Sequence, residues 1–315
     1  MTETSAHSAL YRKHILGVDQ FDPELLAEIF PLSVSMLERV DRHDPTLRDI
    51  LAGYLLIVFF YEASTRTSCS HEAAMKRLGG EVIVRENIQF SSVSKGETLE
   101  DTIRTFAQYG DIIALRHYDV GSVERASKVC DVPIINAGDG TGEHPTQALL
   151  DVFTIRSEMK NIESLKVVFV GDLKHGRTVH SLSRLIASRY GTRIGCYAPE
   201  SLRMSNELRA ELGRQTIVEE YETFEQAIAE ADVLYVTRIQ QERMPQVEYD
   251  RVKGMYILTP ELMQHAKERM IVMHPFPRKG EIDSRVDLDP RAAYFRQAKN
   301  GLAVRMALLK LVLAG

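Results

Sequence analysis

The chain has 315 residues, 44% of them hydrophobic, and its 39 basic against 44 acidic residues give a formal charge of −5. That length supports a sizeable core and about two domains. The charge balance provides no global basic field to favour nucleic acid or an anionic membrane, so any recognition of anions has to be local.

The N-terminal run MTETSAHSALYRKHILGVDQF carries no apolar segment behind basic residues. The longest apolar run, LLIVFFY from Leu55 to Tyr61, falls well short of the ~20 residues that a membrane-spanning helix needs. A cytoplasmic protein without membrane contact is expected. Cys69, Cys130 and Cys196 are scattered without metal-type spacing, which points to reduced core thiols and to no metal or cofactor site.

In chain order, the first buried strand reads LLIVFFYEA. It runs into Ser64, Thr65, Arg66 and Thr67 and then the helical pattern SCSHEAAMKRLG. Hydroxyls, an arginine and the unpaired N–H groups of a helix N-terminus make an anion cradle, although capping by Ser64 or Thr65 would use the same residues. The polar, glycine-bearing stretch ENIQFSSVSKGETLED, from Glu86 to Asp101, presents Lys95 on a loop. A second strand, DIIALRH, delivers Arg116 and His117, and a third, VPIINAG, is followed by GDGTGEHPTQ with His144 and Gln147.

The stretch HPTQALLDVFTIRSEMK reads as a connecting helix, with Pro145 in its first turn and Ala148, Leu149, Val152 and Phe153 on one face. Beyond it LKVVFVGD, RIGCYAP, DVLYVTR, MYILT and MIVMHP read as the strands of a second sheet. Their trailing residues include Arg177, Arg238, Gln240, Arg243 and the turn His274-Pro275-Phe276-Pro277-Arg278. The tail DPRAAYFRQAKNGLAVRMALLKLVL is helical in pattern, interrupted only by Gly301. Apolar runs alternating with amphipathic stretches predict an α/β fold of two domains, each with a central, mostly parallel sheet flanked by helices.

VVFVGDLKHGRTVHSL is one residue away from a phosphate-binding loop, with Arg177 where that motif has lysine. A nucleotide hydrolase also needs a strand ending in a metal-binding aspartate, and DVLYVTR ends in Thr237 and Arg238 instead. Arginine is favoured where a planar fork grips a carboxylate. Arg177 and Arg238 together suit a ligand with two carboxylates.

Taken in order, FFYEASTRTS, SSVSKGETLEDT, LRH, NAGDGTGEHPTQALLD, VGDLKHGRTVHSL, YVTRIQQER, MHPFPR and NGLAVRMALL resemble the carbamoyltransferase family over nearly the whole chain. Ser-Thr-Arg-Thr is common to that family. HPTQ, GDLKHGRTVHSL and TRIQQER resemble its aspartate branch, and the cysteines of the ornithine branch in HPCQ and HCLPR are missing.

The resemblance implies transfer of a carbamoyl group from carbamoyl phosphate to L-aspartate, an early step of pyrimidine biosynthesis. It also implies a carbamoyl-phosphate domain over residues 1–146, joined by a C-terminal helix at 291–315, and an aspartate domain over 147–290. Ser64, Thr65, Arg66, Thr67, Arg116, His144, Gln147, Phe276 and Pro277 match carbamoyl-phosphate positions, the last two acting through backbone carbonyls. Arg177, Arg238, Gln240 and Lys95 match aspartate positions. Arg66, Thr65, Arg116, His144 and Lys95 match the catalytic group, while Glu62, Arg177 and Arg243 match positions of inter-domain contact.

The basic unit implied is a homotrimer in which Ser91 and Lys95 reach a neighbour's site. Two departures stand out. Phe276 replaces the usual leucine or methionine, and Ser94 replaces a second lysine that some members carry. A different amino-acid acceptor and a catalytically silent homologue are the competing readings, and association with regulatory chains or other pyrimidine enzymes is left open.

Overall fold

The computed structural model describes residues 7–86 and 96–315. In its first sheet β1 (Leu55–Phe60) lies between β2 (Glu81–Glu86) and β3 (Ile112–His117), and β3 pairs onward with β4 (Ile134–Asp139). In the second, β5 (Lys166–Val170) lies between β6 (Arg193–Tyr197) and β8 (Val233–Val236), with β7 (Val218–Glu220) outside β6 and β9 (Ile271–Met273) outside β8. Every pairing is parallel. The expectation of two parallel α/β sheets is therefore met. β3, β4, β5 and β8 are buried along their whole length, as strands covered on both faces should be, which is why they read as continuous apolar runs.

The chain divides into two compact units, Met1–Leu149 with Asn300–Gly315, and Leu150–Lys299. One division falls inside α5 (Pro145–Met159) and the other inside the last helix, α11 (Tyr294–Leu313). The core of the second unit gathers Val168, Val170, Leu234, Val236 and Val272 of three adjacent strands around Phe224, Tyr256 and Tyr294. No helix among the described residues is long and apolar enough to cross a membrane.

Three local expectations are corrected. MYILT is not a strand: Leu258 makes one isolated bridge to Ile282, while Met255 and Ile257 stay exposed between Gly254 and Pro260. β2 and β7 were not expected, because both are sheet edges whose residues are partly exposed and show no buried run. α5 is not one-faced either. Leu150, Asp151, Thr154 and Ile155 are buried along with Ala148, Leu149, Val152 and Phe153, so the helix is enclosed on all sides as far as Ile155 and its periodicity is blurred.

Within α2 (Thr65–Arg77), His71 is wholly buried and its Nδ1 lies 2.8 Å from the Thr67 carbonyl. A carbonyl only accepts, so Nδ1 carries the hydrogen. Burial, aided by the charge of Arg305, pushes this imidazole down to about 3. An unfolded histidine protonates near ~6.5. As pH falls from there towards about 3, the unfolded chain takes up a proton that the folded chain refuses, and stability drops by up to ~1.4 kcal/mol per pH unit. His71→Phe should flatten that fall, measured by urea denaturation across the window. An unaltered slope would locate the acid sensitivity elsewhere.

Candidate active site

Three neighbouring strands of the first unit release the residues singled out from the sequence at their carboxyl ends, where open α/β sheets bind ligands. After β1, Ser64 precedes α2, with Thr65 and Arg66 exposed and Thr67 buried. Ser64 makes no capping bond to the backbone; its hydroxyl donates to Thr67 Oγ1 at 2.9 Å. The capping alternative is thus not the one realised. The positive end of a thirteen-residue helix stands beside Arg66, which favours an anion.

Arg116, on β3, is 8% exposed, and its guanidinium donates to Glu62 at 2.9 Å and to the Ala137 carbonyl at 3.4 Å. The carboxylate aligns the cation without covering all five of its donors. His117 has another role: it packs against Tyr61 and Tyr118, and its Nδ1 accepts the Asp119 N–H at 3.0 Å. At the end of β4, Asp139 accepts from Gly121 N and the Ser122 hydroxyl, and its N–H donates to the Glu143 carbonyl at 3.1 Å, closing the loop that ends in buried His144. His144 precedes Pro145 at the start of α5, and Gln147 follows within the first turn, half-buried. Ser91, Ser94 and Lys95 lie outside the described residues.

In the second unit the look-alike of a phosphate loop has a different construction. Gly171 has φ +113°, and a Cβ there would stand 2.4 Å from both the Thr237 carbonyl and the Tyr256 hydroxyl. The glycine therefore serves close packing of β5 against the end of β8. Asp172, wholly buried, accepts the His175 N–H at 3.0 Å and approaches Gln240 N and Nε2 at 3.4 Å. A loop that wraps its own carboxylate repels a polyphosphate. Arg177 opens α6 (Arg177–Tyr190), half-buried.

Arg238 follows β8 and donates through both terminal nitrogens to Glu242, four residues on. The hydrogen bond from Arg238 holds the Glu242 carboxyl down to about 2 despite burial. Arg243 Nε donates to Gln240 Oε1 at 3.1 Å, so Arg238, Gln240 and Arg243 share one hydrogen-bonded turn with Asp172. Phe276 and Pro277 form the turn after β9, joined by a cis peptide. Sequence reasoning missed Glu242 and Asp172. The i, i+4 spacing within TRIQQER could have revealed the first; the second contacts Gln240 from 68 residues away and leaves no local signal.

The family model for the aspartate/ornithine carbamoyltransferase carbamoyl-P binding domain matches residues 13–157, and that for the Asp/Orn binding domain matches 163–312. The chain belongs to the aspartate/ornithine carbamoyltransferase family. It is 51% identical over 307 residues to the multifunctional protein pyr1-3 of Dictyostelium discoideum, covering 97% of this chain but 14% of that protein. It is 48% identical to the chloroplastic aspartate carbamoyltransferase of Arabidopsis thaliana, covering 94% of this chain and 76% of the relative. Among solved structures, aspartate transcarbamoylase from Trypanosoma cruzi in complex with carbamoyl phosphate and aspartate superposes with a TM-score of 0.91 at 38% identity, covering 97% of this chain and 98% of that one. The same enzyme with carbamoyl aspartate and phosphate gives 0.89 over 99% of both chains.

Within this carbamoyltransferase, Glu62→Ala leaves the Arg116 guanidinium in its enclosed position without the carboxylate. We expect a loss of about 1–3 kcal/mol in folding stability, read as a lower denaturation midpoint, with Glu62→Gln losing less because it keeps an acceptor. A midpoint unmoved in both variants would show that the pair adds nothing.

Proposed function

We infer that this chain transfers the carbamoyl group of carbamoyl phosphate to the amine of L-aspartate, giving N-carbamoyl-L-aspartate and phosphate in pyrimidine biosynthesis. The observation that carries the reading is the placement of Arg177 and Arg238. They follow β5 and β8, adjacent strands of one sheet, and two guanidinium groups at neighbouring strand ends suit a dicarboxylate and oppose the cationic side chain of ornithine. The Trypanosoma cruzi enzyme, solved with carbamoyl phosphate and aspartate, supports the same substrate pair.

Carbamoyl phosphate is assigned to Ser64, Thr65, Arg66, Thr67, Arg116, His144 and Gln147, with Phe276 and Pro277 contributing backbone carbonyls to its carbamoyl end. The α-amine of aspartate attacks the carbonyl carbon, and negative charge builds on the carbonyl oxygen. Thr65, Arg116 and His144 donate to that oxygen; such preorganised donors are worth on the order of 3 kcal/mol each. The C–O bond to phosphate then breaks, and the departing phosphate takes the amine's proton. No covalent intermediate is required, because a deprotonated amine is already a competent nucleophile. Holding two anionic substrates in reacting geometry supplies a further ~7–11 kcal/mol.

Arg177, Arg238 and Gln240 bind the aspartate carboxylates, and Lys95 belongs to a loop that completes a neighbour's site in a homotrimer. The pairing of Lys95 with Ser91 in the family-like stretch SSVSKGETLEDT supports that trimer. A cytoplasmic location is part of this reading, while plant relatives are chloroplastic. The multifunctional Dictyostelium relative, of which this region is 14%, supports work in company with other activities.

The deciding experiment compares phosphate release and N-carbamoyl product with L-aspartate, with L-ornithine and with no acceptor. Turnover dependent on aspartate is expected; turnover confined to ornithine would overturn the acceptor assignment. Arg238→Ala should raise the aspartate KM by about two orders of magnitude, a loss of ~3 kcal/mol, while carbamoyl phosphate saturation changes little. Near-normal aspartate saturation in that variant would refute its role. Inactive Lys95→Ala chains mixed with inactive Arg66→Ala chains should regain part of the activity, and verified mixed trimers without any activity would mean self-contained sites.

A further inference from the structure

The turn after β9 is held in an unusual backbone state. Phe276 has φ +58°, a left-handed conformation that an aromatic side chain rarely adopts and that persists only where surrounding contacts impose it. Its N–H donates to His274 Nδ1 at 2.8 Å. A backbone N–H cannot accept, so Nδ1 is bare and the ring hydrogen sits on Nε2. There it donates to Glu281 Oε1 at 2.6 Å, and the other Glu281 oxygen accepts the Lys279 N–H at 2.9 Å.

The chain of bonds continues inward. His274 N–H donates to Gln297 Oε1 at 2.9 Å, Gln297 Nε2 donates to Asp151 at 2.7 Å, and the Tyr235 hydroxyl donates to the same carboxylate at 2.8 Å. None of these five side chains is more than 8% exposed. On the other side the Phe276 ring packs against Tyr294 and Phe295, with the Arg278 guanidinium 5.7 Å from its centre and itself held by Asp287. A buried polar network that is fully bonded fixes one arrangement, and here it ends on the N–H of a single half-exposed turn residue.

We propose that His274 is a positioning residue, locking the Phe276 backbone so that the turn's carbonyls accept the amide hydrogens of the carbamoyl group and select it over a methyl group. This rests on the assignment of Phe276 and Pro277 to carbamoyl recognition. Glu281 acts one step further out by holding the imidazole in the Nε2–H tautomer.

Two substitutions split the ring's two bonds. His274→Asn places an amide oxygen near Nδ1, able to accept from Phe276, and gives up Glu281. His274→Gln reaches towards Glu281 and leaves the Phe276 N–H without its acceptor. Each full-length variant is titrated with carbamoyl phosphate and with acetyl phosphate, which shares the phosphate and carbonyl but has no amide hydrogens.

His274→Gln should lose about tenfold or more in carbamoyl phosphate affinity, with acetyl phosphate within about twofold of the parent, and His274→Asn should keep most of the parent's preference. Parallel weakening of both ligands in His274→Gln, or an unaltered ratio, overturns the proposal. If His274→Gln does not fold, Glu281→Ala replaces it: a reduced preference supports the relay and a parental preference overturns it. A parent protein that binds both ligands equally removes the carbamoyl assignment itself, and aspartate-dependent turnover of the same preparation tells that failure apart from a failure of the relay.

Discussion

Parallel strands cannot be joined by a tight turn. The chain must cross back over the sheet between one strand and the next, so every strand of a parallel sheet ends at the same edge. In both sheets of this carbamoyltransferase that constraint decides where chemistry can occur. Ser64–Thr67, Arg116 and the His144 loop belong to β1, β3 and β4, which are consecutive in the first sheet, and Arg177, Arg238 and the Phe276 turn belong to β5, β8 and β9, consecutive in the second. Residues far apart in sequence, such as Ser64 and His144 or Arg177 and Phe276, come to the same edge of one sheet through parallel strand pairing alone.

The second constraint is electrostatic. A chain with a net charge of −5 that binds anions must assemble its cations locally and hold them still. It does so with internal partners: Glu62 for Arg116, Glu242 for Arg238, and Asp172 for the turn that carries Gln240. Each carboxylate orients a donor group and, within its own unit, offsets the charge of a cation beside it. Asp172 also closes the loop that, from its glycines alone, resembles a nucleotide site. A glycine spacing that would suit a phosphate loop thus opposes a polyphosphate when a buried acidic side chain fills the turn.

The legibility of the sequence follows these physics. Central strands such as LLIVFF and KVVFV announce themselves because both faces are covered, whereas the edge strands EVIVRE and VEE do not, having only partial burial. MYILT had strand composition but no free edge along which to extend, since β9 already lines that side with a bridge from Val272 to Ala292. Site residues just after strands were readable as short motifs. Their distant supports were not. Asp172 meets Gln240 across 68 residues, and His274 depends on Gln297, which in turn reaches Asp151 across 146 residues. Local pattern carries the residues at strand ends, while their distant partners are set by tertiary contact.

This difference bears on how substrate selection works. If Arg238 holds the acceptor carboxylate as proposed, its pairing with Glu242 means that the substrate gains only the difference between two ion pairs, less the cost of desolvating itself. On that assignment net affinity is modest while discrimination is strong, because an ornithine side chain would bring a third cation to two arginines that follow adjacent strands. The carbamoyl end faces the opposite problem, since its amide is neutral and offers no charge to read. On the proposed assignment recognition there comes from carbonyl direction, and direction requires rigidity. The exposed turn at Phe276 is anchored through His274 into the buried Gln297–Asp151–Tyr235 network, whereas the arginines need only a single acidic neighbour. The depth of the supporting network thus scales with the geometric demand of the contact rather than with its charge.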